Sequence, residues 1–324
     1  MSRKKILIFI FILFAFIASF VLLNKDRVFE KRKSDPYQIS VIYRSKSTES
    51  STTIKQGIDQ AARDFNVEIS FLTLANDNSV QEQIALLQRE VTNGAQAIII
   101  APVNSVDLKE PIEKTQKSIP VITMQSTVNG ISHLPYISCN NLEFGTTLAD
   151  TMIANGVVSN KIAVLKNSMG CSNIYQRYLG ITHQLSTKKN TLEYWDIPDD
   201  PQEAYKTARV LLQNSDADTL VALDGATLET AAKAQRDSLK IGGKRVRIYG
   251  IGRTNMVVSL LDNQIINSVG VENEYNMGYL SVKAAIRYIN KKYDTSNTTI
   301  NFAIVNHENM YSSDNQRLLF PFVR

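Results

Sequence analysis

From residue 38 onward the chain repeats one unit: a short β-branched run, a polar turn, then an amphipathic stretch. The runs Gln38–Arg44, Val67–Thr73, Ala97–Ala101, Pro120–Met124, Lys161–Lys166, Thr219–Leu223, Val246–Gly250 and Ile265–Val271 read as strands. Between them, Ile54, Ile58, Ala61, Ala62 and Phe65 share one helical face, and Val80, Ile84, Leu87 and Val91 share another. Strands alternating with helices of this length predict parallel sheets covered on both faces. Eight strands exceed one ordinary doubly wound sheet, so the pattern predicts an α/β chain with two Rossmann-like doubly wound lobes. Such sheets bind ligands in the crevice at the carboxyl ends of their strands.

The N-terminus reads differently. Arg3-Lys4-Lys5 precedes eighteen residues, Ile6 to Leu23, in which only Ser19 is polar. At about 1.5 Å per residue the run spans roughly 27 Å, close to a hydrocarbon core. It ends without a small-x-small cleavage pattern and no cysteine precedes Cys139, which favours an uncleaved transmembrane signal-anchor over a cleaved signal. The expected order is a basic head at 1–5, a membrane span at 6–23, a charged tether at 24–36 and an exported C-terminal body. Residues 1 to 33 hold eight Lys and Arg against Asp26 and Glu30, so they carry +6 of a net charge of +5 and the body sums to −1. The basic pI therefore belongs to the anchor and gives no argument for nucleic acid.

The order of motifs resembles the type I periplasmic sugar-binding family, the group containing the ribose-binding protein. The resemblance covers about residues 38 to 310. It rests on Ser40-Val41-Ile42-Tyr43, Gly57 with Ala61-Ala62, Asn76-Asp77-Asn78, the stretch from Asn93-Gly94 to Ala101-Pro102, Ile119-Pro120-Val121-Ile122-Thr123, Asn140-Asn141 with Gly145, Tyr249-Gly250-Ile251-Gly252 and Asn276-Met277-Gly278. Gly94 falls where a helix stops and reverses into a strand. The resemblance implies a three-crossover hinge near residues 124–139, 250–274 and 302–306. Lobe 1 is then 37–138 plus 273–302, and lobe 2 is 139–272 plus 303–324.

Ligand positions carried over from the family fall on Thr48, Ser50, Ser51, Gln125, Ser126, Tyr175, Asp224, Gly252, Arg253 and Glu272. Several depart from the family pattern. The stacking aromatics after the first strand become Thr48-Glu49-Ser50-Ser51, and the Asp-Arg clamp after the fourth becomes Gln125-Ser126. The Arg of the second lobe's first helix aligns with Tyr175, with Arg177 two residues on, and the Asp of the Gly-Phe-Asp turn becomes Gly252, followed by Arg253. Gln125, Ser126, Asp224, Asn255 and Glu272 offer hydrogen bonds, and Tyr175 and Tyr43 offer apolar faces. Two carboxylates, Asp224 and Glu272, leave an amino-bearing solute open beside a carbohydrate-like one. Each position also reads as an ordinary solvated loop residue, and Trp195 reads as core.

No cofactor is expected. The three histidines lack metal spacing, there is no CxxC, HExxH or phosphate-cradling GxxxxGK[ST], and Gly250 to Asn255 ends in Asn where a dinucleotide fingerprint needs Gly. Cys139 and Cys171 read as free apolar residues ahead of a disulfide. The resemblance implies a receptor that closes on a small solute and presents the closed form to a membrane sensor kinase or an ABC permease. The competing reading is an exported enzyme on the same scaffold. A regulator of the lactose-repressor type needs a DNA-binding helix pair where this chain has its apolar run.

Overall fold

The computed structural model describes residues 11–16, 19, 35–44, 49–292 and 298–320. It divides into two units, Met1–Pro36 and Tyr37–Arg324. In the first, the described residues 11–16 and 19 are helical, with Phe11, Phe14 and Phe16 exposed. No helix among the described residues is long and apolar enough to cross a membrane. Most of the expected span at 6–23, the basic head and nearly all of the tether lie outside the described residues.

The second unit opens with β1 (Tyr37–Tyr43), α1 (Glu49–Phe65), β2 (Val67–Thr73), α2 (Val80–Thr92), β3 (Ala97–Ile100), α3 (Lys109–Gln116), β4 (Val121–Met124) and β5 (Tyr136–Ser138). It continues through α4 (Asn141–Ala154), β6 (Lys161–Lys166), α5 (Ser172–Leu185), β7 (Thr191–Asp196), α6 (Pro201–Asn214), β8 (Thr219–Ala222), α7 (Gly225–Lys240), β9 (Arg247–Ile251), α8 (Asn255–Asp262) and β10 (Ser268–Glu272). The chain ends in α9 (Glu274–Ile289), β11 (Thr298–Thr299), β12 (Phe302–Asn306) and α10 (Ser313–Leu319).

Two six-stranded sheets result, one per lobe. Their orders are β2-β1-β3-β4-β5-β11 and β7-β6-β8-β9-β10-β12. All neighbours are parallel except β12, which runs antiparallel to β10 with Val269 opposite Val305. This departs from the all-parallel expectation, and it seals the outer edge of the second sheet with a strand that returns from lobe 1. The eight predicted strands form within a few residues of their expected limits. β5, β7, β11 and β12 are additional.

Side chains alternate across each strand, so every strand feeds two cores. In lobe 1, Ile39, Val41 and Ile99 pack under α1 and α9, while Ile42, Ile98 and Ile100 pack under α2 and α3. In lobe 2, Ile162, Val164 and Val221 face α4 and α5, while Ala163, Leu165 and Leu220 face the other side with α6 to α8. Trp195 is 6% exposed and joins that last core, its indole N–H donating to Glu193 at 2.9 Å. The chain passes between lobes after β5, β10 and β11, which places the carboxyl ends of both sheets face to face.

Candidate functional site

Both strand orders reverse direction at their first strand, between β1 and β3 and between β6 and β8, the position that opens a crevice in doubly wound sheets. The lobes touch there. Ser126, just after β4, accepts a hydrogen bond from the backbone N–H of Ser172 at 2.9 Å, and the two hydroxyls lie 3.2 Å apart. The Ser172 hydroxyl in turn accepts from the N–H of Thr127 at 2.8 Å. Ser172 opens α5, and the N-cap residue Cys171 makes no side-chain cap bond. The helix N-terminus is thus capped from the opposite lobe.

Further bonds flank this contact. The Cys171 thiol donates to the Val103 carbonyl at 3.2 Å, and the Ser105 N–H donates to the Gly170 carbonyl at 2.9 Å. The Asn78 amide reaches Ser168 at 2.9 Å and Asp199 at 3.0 Å. On the far side of the crevice, Arg253 reaches Thr53 at 3.4 Å and the backbone N–H of Asn255 donates to Glu49. Hydrogen bonds thus join the two lobes on both sides of the crevice.

A buried ionic network lies behind the contact in lobe 2. Arg177 donates to Glu272 at 2.9 Å, to Asn141 at 2.8 Å and to the Leu223 carbonyl at 3.4 Å. Its guanidinium carbon sits 5.3 Å from the centre of the Phe144 ring. The other Glu272 oxygen accepts from the Cys139 thiol at 3.3 Å. Burial disfavours the charge on Arg177, but Glu272 outweighs it and holds the guanidinium pKa above its ordinary value. Burial, then the Glu272 carboxylate, push the Cys139 thiol up. Tyr136 donates to the Gln125 carbonyl at 2.7 Å and is pushed up to about 12, chiefly by burial.

The expected ligand residues divide accordingly. Thr48 lies outside the described residues, and Ser50 is described only as backbone in the first turn of α1. Ser51 is buried in the same turn. Gln125 and Ser126 stand in the crevice, both buried, with Gln125 in the left-handed region at φ 61°. Asp224 is the N-cap of α7: one oxygen accepts from the Thr227 N–H at 2.9 Å and the other from its hydroxyl at 2.8 Å. Gly252 has φ 122°, and a Cβ there would overlap the backbone of Gly225, so this position is set by packing against the start of α7. Arg253 donates to the Leu319 carbonyl at 2.8 Å as well as to Thr53, tying the C-terminal helix to the closed crevice.

Tyr175 is placed elsewhere. It is 49% exposed and stacks on Tyr178 at 6.2 Å, on the outer surface of α5. Two residues turn a helix by about 200°, so the alignment that chose Tyr175 put the wrong face inward. Arg177 occupies the interior. The two carboxylates that left an amino-bearing solute open are both engaged within the protein. Cys139 and Cys171 are free thiols, as expected, and both are buried.

Two crevice residues had gone unnoticed. Arg44 follows β1 directly, and its guanidinium lies against the Cys171 thiol with Tyr43 and Asp224 nearby; burial opposes its charge, and these neighbours more than restore it. Asn173 is 1% exposed in the first turn of α5. A cation at the carboxyl end of an otherwise apolar strand was the available signal for Arg44.

A family model described as a periplasmic binding protein domain matches residues 39–293, most of the chain. The chain belongs to the periplasmic binding protein family. A carbohydrate-transporter solute-binding protein from Agrobacterium radiobacter, solved with D-arabinose, shares the fold at TM-score 0.82 and 18% identity, covering 89% of this chain and 100% of its own. A second solute-binding protein, from Agrobacterium vitis with bound α-D-tagatopyranose, gives 0.79 at 20% identity over 87% and 99% of the two chains. XylFII in its complex with LytSN gives 0.76 at 20% identity over 84% and 98%. No curated protein matches by sequence. The two lobes of this periplasmic binding protein follow the type I architecture, with the crevice where that architecture places it.

Proposed function

We propose that this periplasmic binding protein is an extracytoplasmic receptor that closes its lobes around a small carbohydrate-like solute and turns nothing over. The observation that carries the reading is the direct hydrogen bonding of Ser126, Thr127 and Ser172 across the crevice. It joins strand ends of both sheets and exists only when the lobes meet. A solute held between them stabilises that state by its differential affinity for it. The serine hydroxyls pair with each other rather than with a base, and His133, His183 and His307 are all exposed. That arrangement supports binding over the competing reading of an exported enzyme.

The apolar run at 6–23 supports anchoring of the body at a membrane surface, where a membrane partner meets it at high effective concentration. Solute-binding proteins of ABC transporters share this fold, as does XylFII in its complex with LytSN. The anchor favours a sensor kinase as the reader of the closed form, with an ABC permease as the second candidate.

A thermal-shift series on the full chain in a non-glycosidic detergent tests the reading. Pentoses, hexoses, sugar alcohols and amino sugars are the probes. A solute bound at a hundred times its Kd stabilises by about 2.7 kcal/mol. Gln125→Ala is expected to reduce that shift, whereas Asp224→Ala lowers stability in every condition because it removes a helix cap. A panel in which no solute raises the melting temperature ends the receptor reading.

A further inference from the structure

Three polar atoms around the inter-lobe contact are fully buried and have no hydrogen-bonding partner among the described residues: a terminal guanidinium nitrogen of Arg44, Oε1 of Gln125 and Oδ1 of Asn173. They arrive from three strand ends. Arg44 follows β1, Gln125 follows β4, and Asn173 sits in the first turn of the helix that follows β6. In sequence Gln125 and Asn173 each adjoin one of the two serines whose hydroxyls meet at 3.2 Å, and Arg44 lies against Cys171, the residue before Ser172.

Buried polar groups in folded proteins are nearly always paired, and leaving one unpaired costs free energy. The other charged groups of the crevice have partners. Arg177 holds Glu272, Asp224 caps α7, and Arg253 holds Leu319, Thr53 and Asn255. Among the described residues one guanidinium N–H and two amide oxygens therefore remain, and they set what a ligand must bring: an oxygen acceptor for the guanidinium and O–H donors for the amide oxygens.

We propose that Arg44 is the specificity-determining ligand donor of this receptor. It takes a ligand oxygen while Gln125 and Asn173 take two hydroxyls, so the crevice selects uncharged polyhydroxylated solutes and rejects their amino-bearing counterparts. The inference rests on the receptor reading above. It closes the alternative of an amino-bearing solute that the carboxylates at 224 and 272 left open, since a guanidinium with an open N–H repels an ammonium group.

Calorimetric titration of the full chain with D-arabinose, D-tagatose and D-glucose, and with an amino-deoxy counterpart of whichever binds, tests it. Arg44→Gln is expected to weaken the bound sugar about ten- to a hundredfold, the range for a lost charge-assisted hydrogen bond. Asn173→Ala is expected to weaken it about tenfold. The melting temperature of each variant without sugar is read in parallel. If Arg44→Gln fails to fold, Asn173→Ala and the amino-sugar comparison carry the test. Unchanged sugar affinity in the folded variants, or equal affinity for the sugar and its amino counterpart, overturns the role of Arg44 while leaving the receptor intact. Absence of binding by all three sugars overturns the sugar-selective crevice, while the receptor reading ends only if the wider thermal-shift panel also gives no shift.

Discussion

Lobe 1 packs α1 against α9 and lobe 2 packs α4 against α5, and both pairs meet backbone to backbone at glycines. A Cβ on Gly57 would overlap the Tyr275 carbonyl, and one on Gly278 the Ile54 carbonyl. In lobe 2, Gly145 meets the Arg177 carbonyl and Gly180 the Leu142 carbonyl. The spacing is the same throughout: each carbonyl donated to the contact lies three residues before a glycine of its own helix. Ile54 and Arg177 are thus counterparts, and they differ in kind. Ile54 is fully buried hydrocarbon, whereas Arg177 is a buried guanidinium bonded to Glu272 at the last residue of β10. One packing device serves two purposes. In lobe 1 it ends in the apolar core, and in lobe 2 it ties a helix to the crevice and to the interlobe crossing that follows Glu272.

The strongest way to break the comparison is Arg177→Met. Removing one partner of a buried ion pair leaves Glu272 uncompensated, with an expected loss of about 3–5 kcal/mol in denaturant unfolding. Arg177→Met combined with Glu272→Leu should recover most of that stability, because a well-packed apolar pair is commonly neutral relative to a buried salt bridge. Ligand-induced stabilisation should stay low in the double variant. If its stability remains as low as that of Arg177→Met, the network is not a separable ion pair. Next in size come the glycines. Gly57→Ala and Gly145→Ala both force helices apart, each costing about 1–3 kcal/mol. Gly145→Ala pushes directly on Arg177, so it should also reduce the sugar-induced thermal shift, which Gly57→Ala should leave in place. Equal loss of that shift in both would erase the distinction between the lobes.

The same contrast explains what the sequence made legible. Strand and helix periods are local, so the alternation of β1 to β4 and of β6, β8, β9 and β10 could be read from β-branched runs. β5 is three residues behind Pro135, β11 is two, and β12 owes its place to an antiparallel partner far away in sequence. β5 and β11 are too short to carry a period. The structure sets Gln125 and Ser126 where the lobes touch and turns Tyr175 outward. Asn173, Ile174, Arg177, Gly180 and Ile181 are all buried, a helical stripe with spacings of three and four that includes the arginine. That stripe was visible in the sequence and would have turned Tyr175 outward. The internal pairing of Asp224 and Glu272 was not visible, since it depends on atoms brought together by folding.

The inter-lobe serines give a smaller effect. Ser126→Ala or Ser172→Ala removes the hydrogen bonds that cap α5 from lobe 1, at about 1 kcal/mol each. Because these bonds exist only across the crevice, the loss should appear as opening rather than unfolding. Small-angle scattering is expected to show a larger radius of gyration for the double variant without ligand. A double-mutant cycle should give non-additive losses. Strictly additive losses with no change in dimensions would separate the serines from closure.

The smallest effect concerns the thiol at the edge of the network. Cys139 titrates above its ordinary value in the folded chain, first because it is buried and then because Glu272 is beside it. Below a thiol's usual pKa of about 8.5, the folded and unfolded chains both keep the proton and stability is unaffected. Above it the unfolded chain ionises while the fold does not, so stability falls as pH rises, by about 1 kcal/mol near pH 9.5. Cys139→Ser keeps a donor for Glu272 and does not titrate there, so its stability profile from pH 8 to 9.5 should be flatter than that of the unaltered chain. Parallel profiles would mean that neither burial nor Glu272 holds this thiol above its ordinary value in the folded chain.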